Sequence, residues 1–299
     1  MRVLVAGQTG QLALALSRRL PQDGHTVTAL EAPELDLTDA ASIARAVEQA
    51  APEAIINAAA YTAVDRAEDE PAMAEAINAT GAGLLAAEAA RRGLPFLHVS
   101  TDYVFDGLKG APYRETDPTA PASVYGRTKL AGEAAVMAAN PRSAILRTAW
   151  VCSADGNNFL KTMLRLGAER PALSVVADQH GAPTFAADLA DAIARMLPRL
   201  AAARAGDEAF GLFHLTGAPW TTWHGFAQEI FAQAAARGAK VPALSAITTD
   251  QYPTKARRPA DGRLDCSRIG AVHGIRPADW RESLARCLEE LLPASGTRG

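Results

Sequence analysis

The chain has 299 residues, 48% of them hydrophobic, enough to bury one large α/β core and a smaller lobe. Its formal net charge of -3 offers no basic field for nucleic acid or an anionic membrane, so neither is an expected partner and local groups must hold any bound phosphate. Three widely spaced cysteines and six scattered histidines make neither C-x-x-C nor H-x-x-x-H, so no metal site is expected and Cys152, Cys266 and Cys287 read as structural thiols.

Arg2 to Ala6 reads as a short buried strand with no charged leader before it, which makes a cytoplasmic protein the expectation. It runs directly into Gly7-Gln-Thr-Gly10-Gln-Leu-Ala13 and a helix to about Leu20. Strand, glycine turn and helix in that order form a phosphate cradle: Gly7 and Gly10 permit the turn, and the helix start offers free N–H groups to a diphosphate. Ala13, where a third glycine is usual, is the smallest substitute. His25 to Leu30 reads as a second strand, Asp39 to Ala50 as a helix capped by Asp39, and Ala54 to Asn57 as a third strand. Ala72 to Arg92 reads as one long helix ended by Gly93, followed by a strand from Pro95 to Ser100, the helix carrying Tyr125, and a fifth strand from Ser143 to Arg147.

This alternation predicts a doubly wound, Rossmann-type parallel sheet with ligands at the carboxyl ends of its strands. Residues 1–150 are expected to form the dinucleotide-binding domain, with segments around 173–217 as candidates to return to it. Residues 151–299 are expected to form mainly a smaller, partly helical substrate-binding lobe, with helices over Asn158 to Ala168, Ala187 to Leu200, Trp223 to Arg237 and Trp280 to Leu291.

Every candidate motif falls at a strand end. Gly7 follows the first strand, Glu31 and Asp36 the second, Ala58 to Asp65 the third, Ser100 and Thr101 the fourth, and Thr148 to Trp150 the fifth. Tyr125 and Lys129 stand four apart, on one face if the segment is helical. A cation beside a phenol stabilises the phenolate and draws its pKa down from roughly 10, the requirement for acid–base work near neutrality. Thr101 can hold the reacting oxygen. Tyr-x-x-x-Lys also occurs on solvated helix faces, and the strand-end context is what weighs for function.

The residues resemble the extended short-chain dehydrogenase/reductases and, more closely, the dTDP-4-dehydrorhamnose reductase family. The matching runs are Gly7-Gln-Thr-Gly10-Gln-Leu, Asn57-Ala-Ala-Ala-Tyr-Thr-Ala-Val-Asp65, Ser100-Thr-Asp-Tyr-Val-Phe-Asp-Gly107 and Tyr125-Gly-Arg-Thr-Lys129-Leu-Ala-Gly-Glu133. Arg147-Thr-Ala-Trp150, Gly156-Asn-Asn-Phe159, His180-Gly-Ala-Pro-Thr184, Gly211-Leu-Phe-His-Leu215 and Thr222-Trp223 extend the match along the chain. The resemblance implies reduction of the C4 ketone of a dTDP-linked 4-keto-6-deoxy sugar by NADPH or NADH. It implies Tyr125 as proton donor, Lys129 on the nicotinamide ribose and Thr101 on the developing oxyanion. Gly7, Gly10, Gln11 and Leu12 would take the diphosphate, Glu31, Asp36 and Leu37 the adenosine end, and Ala60, Tyr61 and Thr62 the middle of the cofactor. Asp102 and Trp150 would line the sugar side. Glu31 would repel a 2′-phosphate, which leans toward NADH.

Other features keep two readings. Lys161, Lys255, Arg257 and Arg258 can clamp a substrate diphosphate or stand as solvated surface charge. Asp65, Glu68, Asp69 and Glu70 read as a solvated start of a helix rather than a metal site. Where some relatives carry a glutamate for magnesium at a dimer contact, this chain has Ala15, so either a monomer or a homodimer is expected and without metal. Tyr103 follows Thr101-Asp102 where sugar dehydratases carry a glutamate, which disfavours water elimination. The alternatives are an epimerase working through a 4-keto intermediate and a non-catalytic regulatory subunit of a methionine adenosyltransferase.

Overall fold

Runs such as Val3–Ala6 and Ala54–Asn57 are buried at every position, so they belong in the middle of a sheet covered on both faces. In the computed structural model of the protein, which describes residues 1–292, they lie there. Strands β1 (Arg2–Ala6), β2 (Thr26–Leu30), β3 (Ala54–Asn57), β4 (Phe96–Thr101) and β5 (Ser143–Thr148) are all parallel to their neighbours. A later strand, β10 (Gly211–His214), adds to β5 and completes the order β2-β1-β3-β4-β5-β10. The winding reverses between β1 and β3, which opens the ligand crevice of such sheets at their carboxyl ends.

Helices α1 (Gln11–Arg19) and α2 (Ala40–Ala50) cross between the first strands, and Asp39 caps α2 by accepting from the Ala41 N–H at 2.8 Å. After β3 come α3 (Val64–Ala67), then α4 (Pro71–Glu75) and α5 (Ala82–Arg91), joined by a π-helical turn over Ala76–Gly81. The single helix expected from Ala72 to Arg92 is thus widened in its middle. The cause is side-chain chemistry at Asn78, which turns inward to accept from the Tyr61 N–H at 2.8 Å and donate to the Tyr61 carbonyl at 3.2 Å. Helix α6 (Val124–Ala139) begins at Ser123, whose hydroxyl accepts from the Gly126 N–H. It presses on the π turn so closely that a Cβ on Gly132 would overlap the Asn78 carbonyl.

The second half of the chain divides its elements between the sheet and a lobe. The lobe holds the pair β6 (Val151–Cys152) and β9 (Thr184–Phe185), helix α7 (Phe159–Glu169), and β7 (Ala172–Val176), which pairs in parallel with β12 (Ala243–Ile247). The short antiparallel pair β8 (His180–Gly181) and β11 (Thr221–Thr222) and helices α9 (Trp223–Ala236) and α11 (Trp280–Leu291) complete it. Leu160, Phe226, Ile230, Trp280, Leu284 and Leu288 form its separate core. Helix α8 (Ala186–Ala202) instead packs on α1, so Leu189, Ile193 and Met196 share a core with Val3, Val5 and Leu16. Within 173–217, therefore, α8 and β10 lie with the sheet while β7 stays in the lobe. Helix α10 (Ser267–His273), which periodicity had not marked, also joins the sheet's core through Ile269. Among the described residues no helix is long and apolar enough to cross a membrane.

Candidate active site

The glycine turn lies at the end of β1, against β3. Gly7 has φ +108°, a conformation open to glycine, donates its N–H to the Leu30 carbonyl at 2.7 Å, and would bring an added Cβ to 3.4 Å from the Ala59 nitrogen. Gly10 precedes α1 without a side-chain cap, which leaves the first helical N–H groups available to an anion. Glu31 closes this turn from the end of β2. Its carboxylate accepts from the Gln8 and Thr9 N–H groups at 3.2 and 3.1 Å and from the Thr9 hydroxyl at 3.0 Å, bonds that hold its pKa below the usual carboxylate value. A carboxylate-lined glycine turn at a helix start fits the diphosphate and ribose of a dinucleotide.

The remaining expected cofactor residues divide between backbone and side-chain availability. Leu12 and Leu37 are buried in the two cores beside the sheet, so their side chains are taken up by packing. Asp36 Oδ1 is held by the N–H and hydroxyl of Thr38 at 2.8 and 2.7 Å. Ala60, Tyr61 and Thr62 follow β3, and the Tyr61 hydroxyl donates to Glu70 at 2.6 Å. The Gln11 side chain bonds the lobe, which leaves its backbone for the expected diphosphate. The side-chain carbonyl accepts from the Ser153 hydroxyl at 3.0 Å and from the Asn158 amide at 2.9 Å.

Thr101, Asp102, Tyr125 and Lys129 meet at the carboxyl end of β4. Thr101 ends the strand, accepts from the Tyr103 N–H at 3.2 Å and donates to Asp102 Oδ1 at 3.0 Å. Asp102 is buried, and its desolvated carboxyl is pushed up to about 7 despite the Thr101 bond. Gly262 backs it so closely that a Cβ there would overlap the carboxylate. Tyr125 stands edge-on to Tyr103, ring centroids 5.5 Å apart, with the Thr101 hydroxyl beside its own.

The phenol's acidity differs from expectation. Burial raises the Tyr125 pKa above its ordinary value, Asp102 adds to the rise, and the Thr101 hydroxyl opposes it. Lys129 does not reverse this, because burial lowers its own pKa to about 8 and its ammonium faces other partners. Lys129 Nζ donates to the Val99 carbonyl at 2.7 Å and lies 3.2 Å from His98 Nε2. His98 and Asn57, two polar residues buried inside apolar strands, are the functional-site neighbours that motif spacing missed. A lone histidine in Phe96-Leu-His-Val is the signal that marks them, since a buried ring must find partners.

Trp150 lies at the end of β5. It leaves β5 with φ +49°, a strained backbone for a bulky residue, and stacks on Trp223 with centroids 3.7 Å apart. Its indole also meets Gly181, where a Cβ would come within 2.7 Å of the ring. Cys152 nearby is buried, with its thiol pushed well up, as suits packing rather than nucleophilic attack.

The acidic run after β3 lies at the start of a helix and is partly exposed, as expected, and it also makes contacts across the chain. Asp65 accepts from the Ala256 N–H and from Arg258, each at 3.0 Å, Asp69 pairs with Lys255, and Glu68 accepts from the Val124 N–H at 2.7 Å. Lys255 and Arg258 thus each pair with a partly exposed carboxylate, Asp69 and Asp65.

Residues 1–292 match the family described as the RmlD substrate binding domain. The chain is also 46% identical to the dTDP-4-dehydrorhamnose reductase of Sinorhizobium fredii over 98% of both chains. It belongs to the dTDP-4-dehydrorhamnose reductase family. Solved family members from Clostridium acetobutylicum and Bacillus anthracis superpose with TM-scores of 0.90, at 36% and 33% identity, over 97% of this chain and 99% of each of theirs. The Bacillus anthracis reductase was solved in complex with NADP. The glycine turn, Thr101, Tyr125, Lys129 and Trp150 lie within the matched span of this reductase family.

Proposed function

We propose that the protein reduces the C4 ketone of dTDP-4-dehydro-6-deoxy-L-mannose to give dTDP-L-rhamnose, using NADH or NADPH. The observation that carries this reading is the convergence of Thr101, Tyr125 and Lys129 beside an uncapped glycine turn, in a chain 46% identical to a named reductase of that sugar.

The dinucleotide, when bound, supplies hydride. Gly7, Gly10 and the backbone of Gln11 and Leu12 hold its diphosphate, Glu31 its adenosine ribose, with Asp36, Leu37 and Ala60 to Thr62 along its length. Tyr125 keeps its proton throughout the neutral range because its pKa is raised, so the donor is ready before negative charge develops on the sugar oxygen. Thr101 turns its hydroxyl from Asp102 toward that oxygen, an interaction strongest in the transition state. Lys129, fixed by Val99 and His98, binds the nicotinamide ribose. Asp102 and Trp150 border the sugar, and the indole excludes water from one face.

The test follows NADH and NADPH oxidation on adding the keto sugar generated in place by its upstream enzymes, with Tyr125→Phe as control. Turnover lost in the variant is the expected result. A folded wild type that binds cofactor but turns over no keto sugar would overturn the reading.

A further inference from the structure

We propose that His98 is a positioning residue that ties the charge of Lys129 to the orientation of the Asn57 amide, and through it to the Ala59 N–H in the cofactor crevice. This rests on the reading of Lys129 as part of a reductase site.

Lys129 Nζ is buried, and among the described residues no carboxylate pairs with it. Glu133, one turn along α6, is engaged by Arg147 from β5 at 2.8 and 2.6 Å and by the Ser100 hydroxyl at 2.5 Å. The ammonium is left to the Val99 carbonyl and His98 Nε2. On the far side of the ring, His98 Nδ1 lies 3.1 Å from the Asn57 amide nitrogen, while Asn57 Oδ1 accepts from the Ala59 N–H at 3.2 Å. Glu133 is the charged group that acts on Lys129, opposing the effect of burial, and Lys129 is the one that acts on His98.

His98 is held neutral by burial and by Lys129, so it offers one donor and one acceptor. An ammonium has only donors. A charged Lys129 therefore requires Nε2 to accept and Nδ1 to carry the proton, and Asn57 must then present its oxygen to the ring. A half-turn of the amide does this and takes the oxygen away from the Ala59 N–H. A neutral Lys129 reverses each step: Nε2–H donates to the amine, Nδ1 accepts from the Asn57 NH2 group, and Asn57 Oδ1 keeps the Ala59 N–H, the arrangement of heavy atoms seen here. The two bonding patterns thus differ by one proton on Lys129, and in the charged one the Asn57 NH2 group faces the Ala59 N–H, donor to donor, so that N–H is left without a partner inside the protein. They differ at the crevice too, because the Ala59 nitrogen lies against Gly7. An acceptor bound there, a diphosphate or ribose oxygen, favours the pattern in which Ala59 N–H is free and Lys129 is charged.

The full chain labelled with 15N-histidine is the probe, its ring nitrogens followed by long-range 1H–15N correlation from about pH 6 to about pH 10, the span in which histidine and a buried lysine titrate. The His98 resonances are assigned by their loss in His98→Leu. The expected result is Nδ1–H at the acid end and Nε2–H at the alkaline end, with a midpoint near the Lys129 value of about 8, and a single tautomer throughout in Lys129→Met. One unchanging tautomer in the wild type, or a changeover that survives Lys129→Met, overturns the proposal. In kinetics, His98→Leu removes an acceptor from the ammonium and should move the alkaline limb of kcat about one pH unit downward. An equal loss at every pH overturns it as well. A tautomer changeover without keto-sugar turnover keeps this inference and removes the reductase reading; turnover that depends on Tyr125 beside a fixed tautomer does the reverse.

Discussion

At the scale of single residues, the site is governed by how burial acts on charge. Tyr125 is a phenol whose proton is held more firmly than in water, which suits the donor role proposed for it and makes its anion costly. The Thr101 hydroxyl lies beside it, so Thr101→Val should lower kcat by about 10² to 10³ with little change in KM, measured in initial-rate kinetics. Asp102 carries a testable pH signature. Its folded-state pKa of about 7 lies above its ordinary 3.8, so the native protein retains a proton that the unfolded chain gives up earlier. The resulting stabilisation is complete below about pH 4 and is lost as pH rises through about 7. Between about pH 4 and about pH 8, the urea stability of Asp102→Asn should therefore gain on the wild type by as much as ~4 kcal/mol. A gap that does not change with pH would contradict this.

At the scale of elements, two close approaches place the chemistry. The β1–α1 turn is closed by Glu31 on the N–H groups of Gln8 and Thr9, a carboxylate where a 2′-phosphate would bring further negative charge. Glu31→Ala should raise the NADPH-to-NADH ratio of kcat/KM about tenfold, the effect of removing roughly 1.4 kcal/mol of repulsion. An unchanged ratio would show that the turn does not discriminate. Helix α6 meets the π turn at Gly132 with no room for a methyl group. Gly132→Ala should cost about 1 to 3 kcal/mol by overpacking, seen as a lower denaturation midpoint, and should displace the helix that carries Tyr125 and Lys129. The shared face of Tyr125 and Lys129 on that helix was legible in their spacing of four. The π turn was not, because it arises from an Asn78 side chain reaching across to Tyr61, a partner that no local pattern names.

At the scale of the whole molecule, the lobe is fastened to the sheet across the glycine turn. Gln11 bonds Ser153 and Asn158, and Arg18 makes a bidentate pair with Asp155 at 2.6 and 2.9 Å. The Arg18 pair is exposed and contributes under about 1 kcal/mol, so Gln11 is the stronger tie. Gln11→Ala should speed amide exchange over residues 153–158 and raise KM for the dinucleotide more than it lowers kcat; unchanged exchange would show that the loop is held by other contacts. The alternation of strand and helix, the glycine turn, and the shared helix face of Tyr125 and Lys129 were determined by the sequence itself, because hydrophobic period, helical spacing and glycine conformation are local properties. Tertiary structure alone decided that Lys255 and Arg258 answer Asp69 and Asp65, that Gln11 serves the lobe, that β10 completes the sheet, and that His98 stands between Lys129 and Asn57. Each of these depends on which buried polar or charged group meets which, and such partners lie many residues apart in the chain and adjoin only when the core has closed.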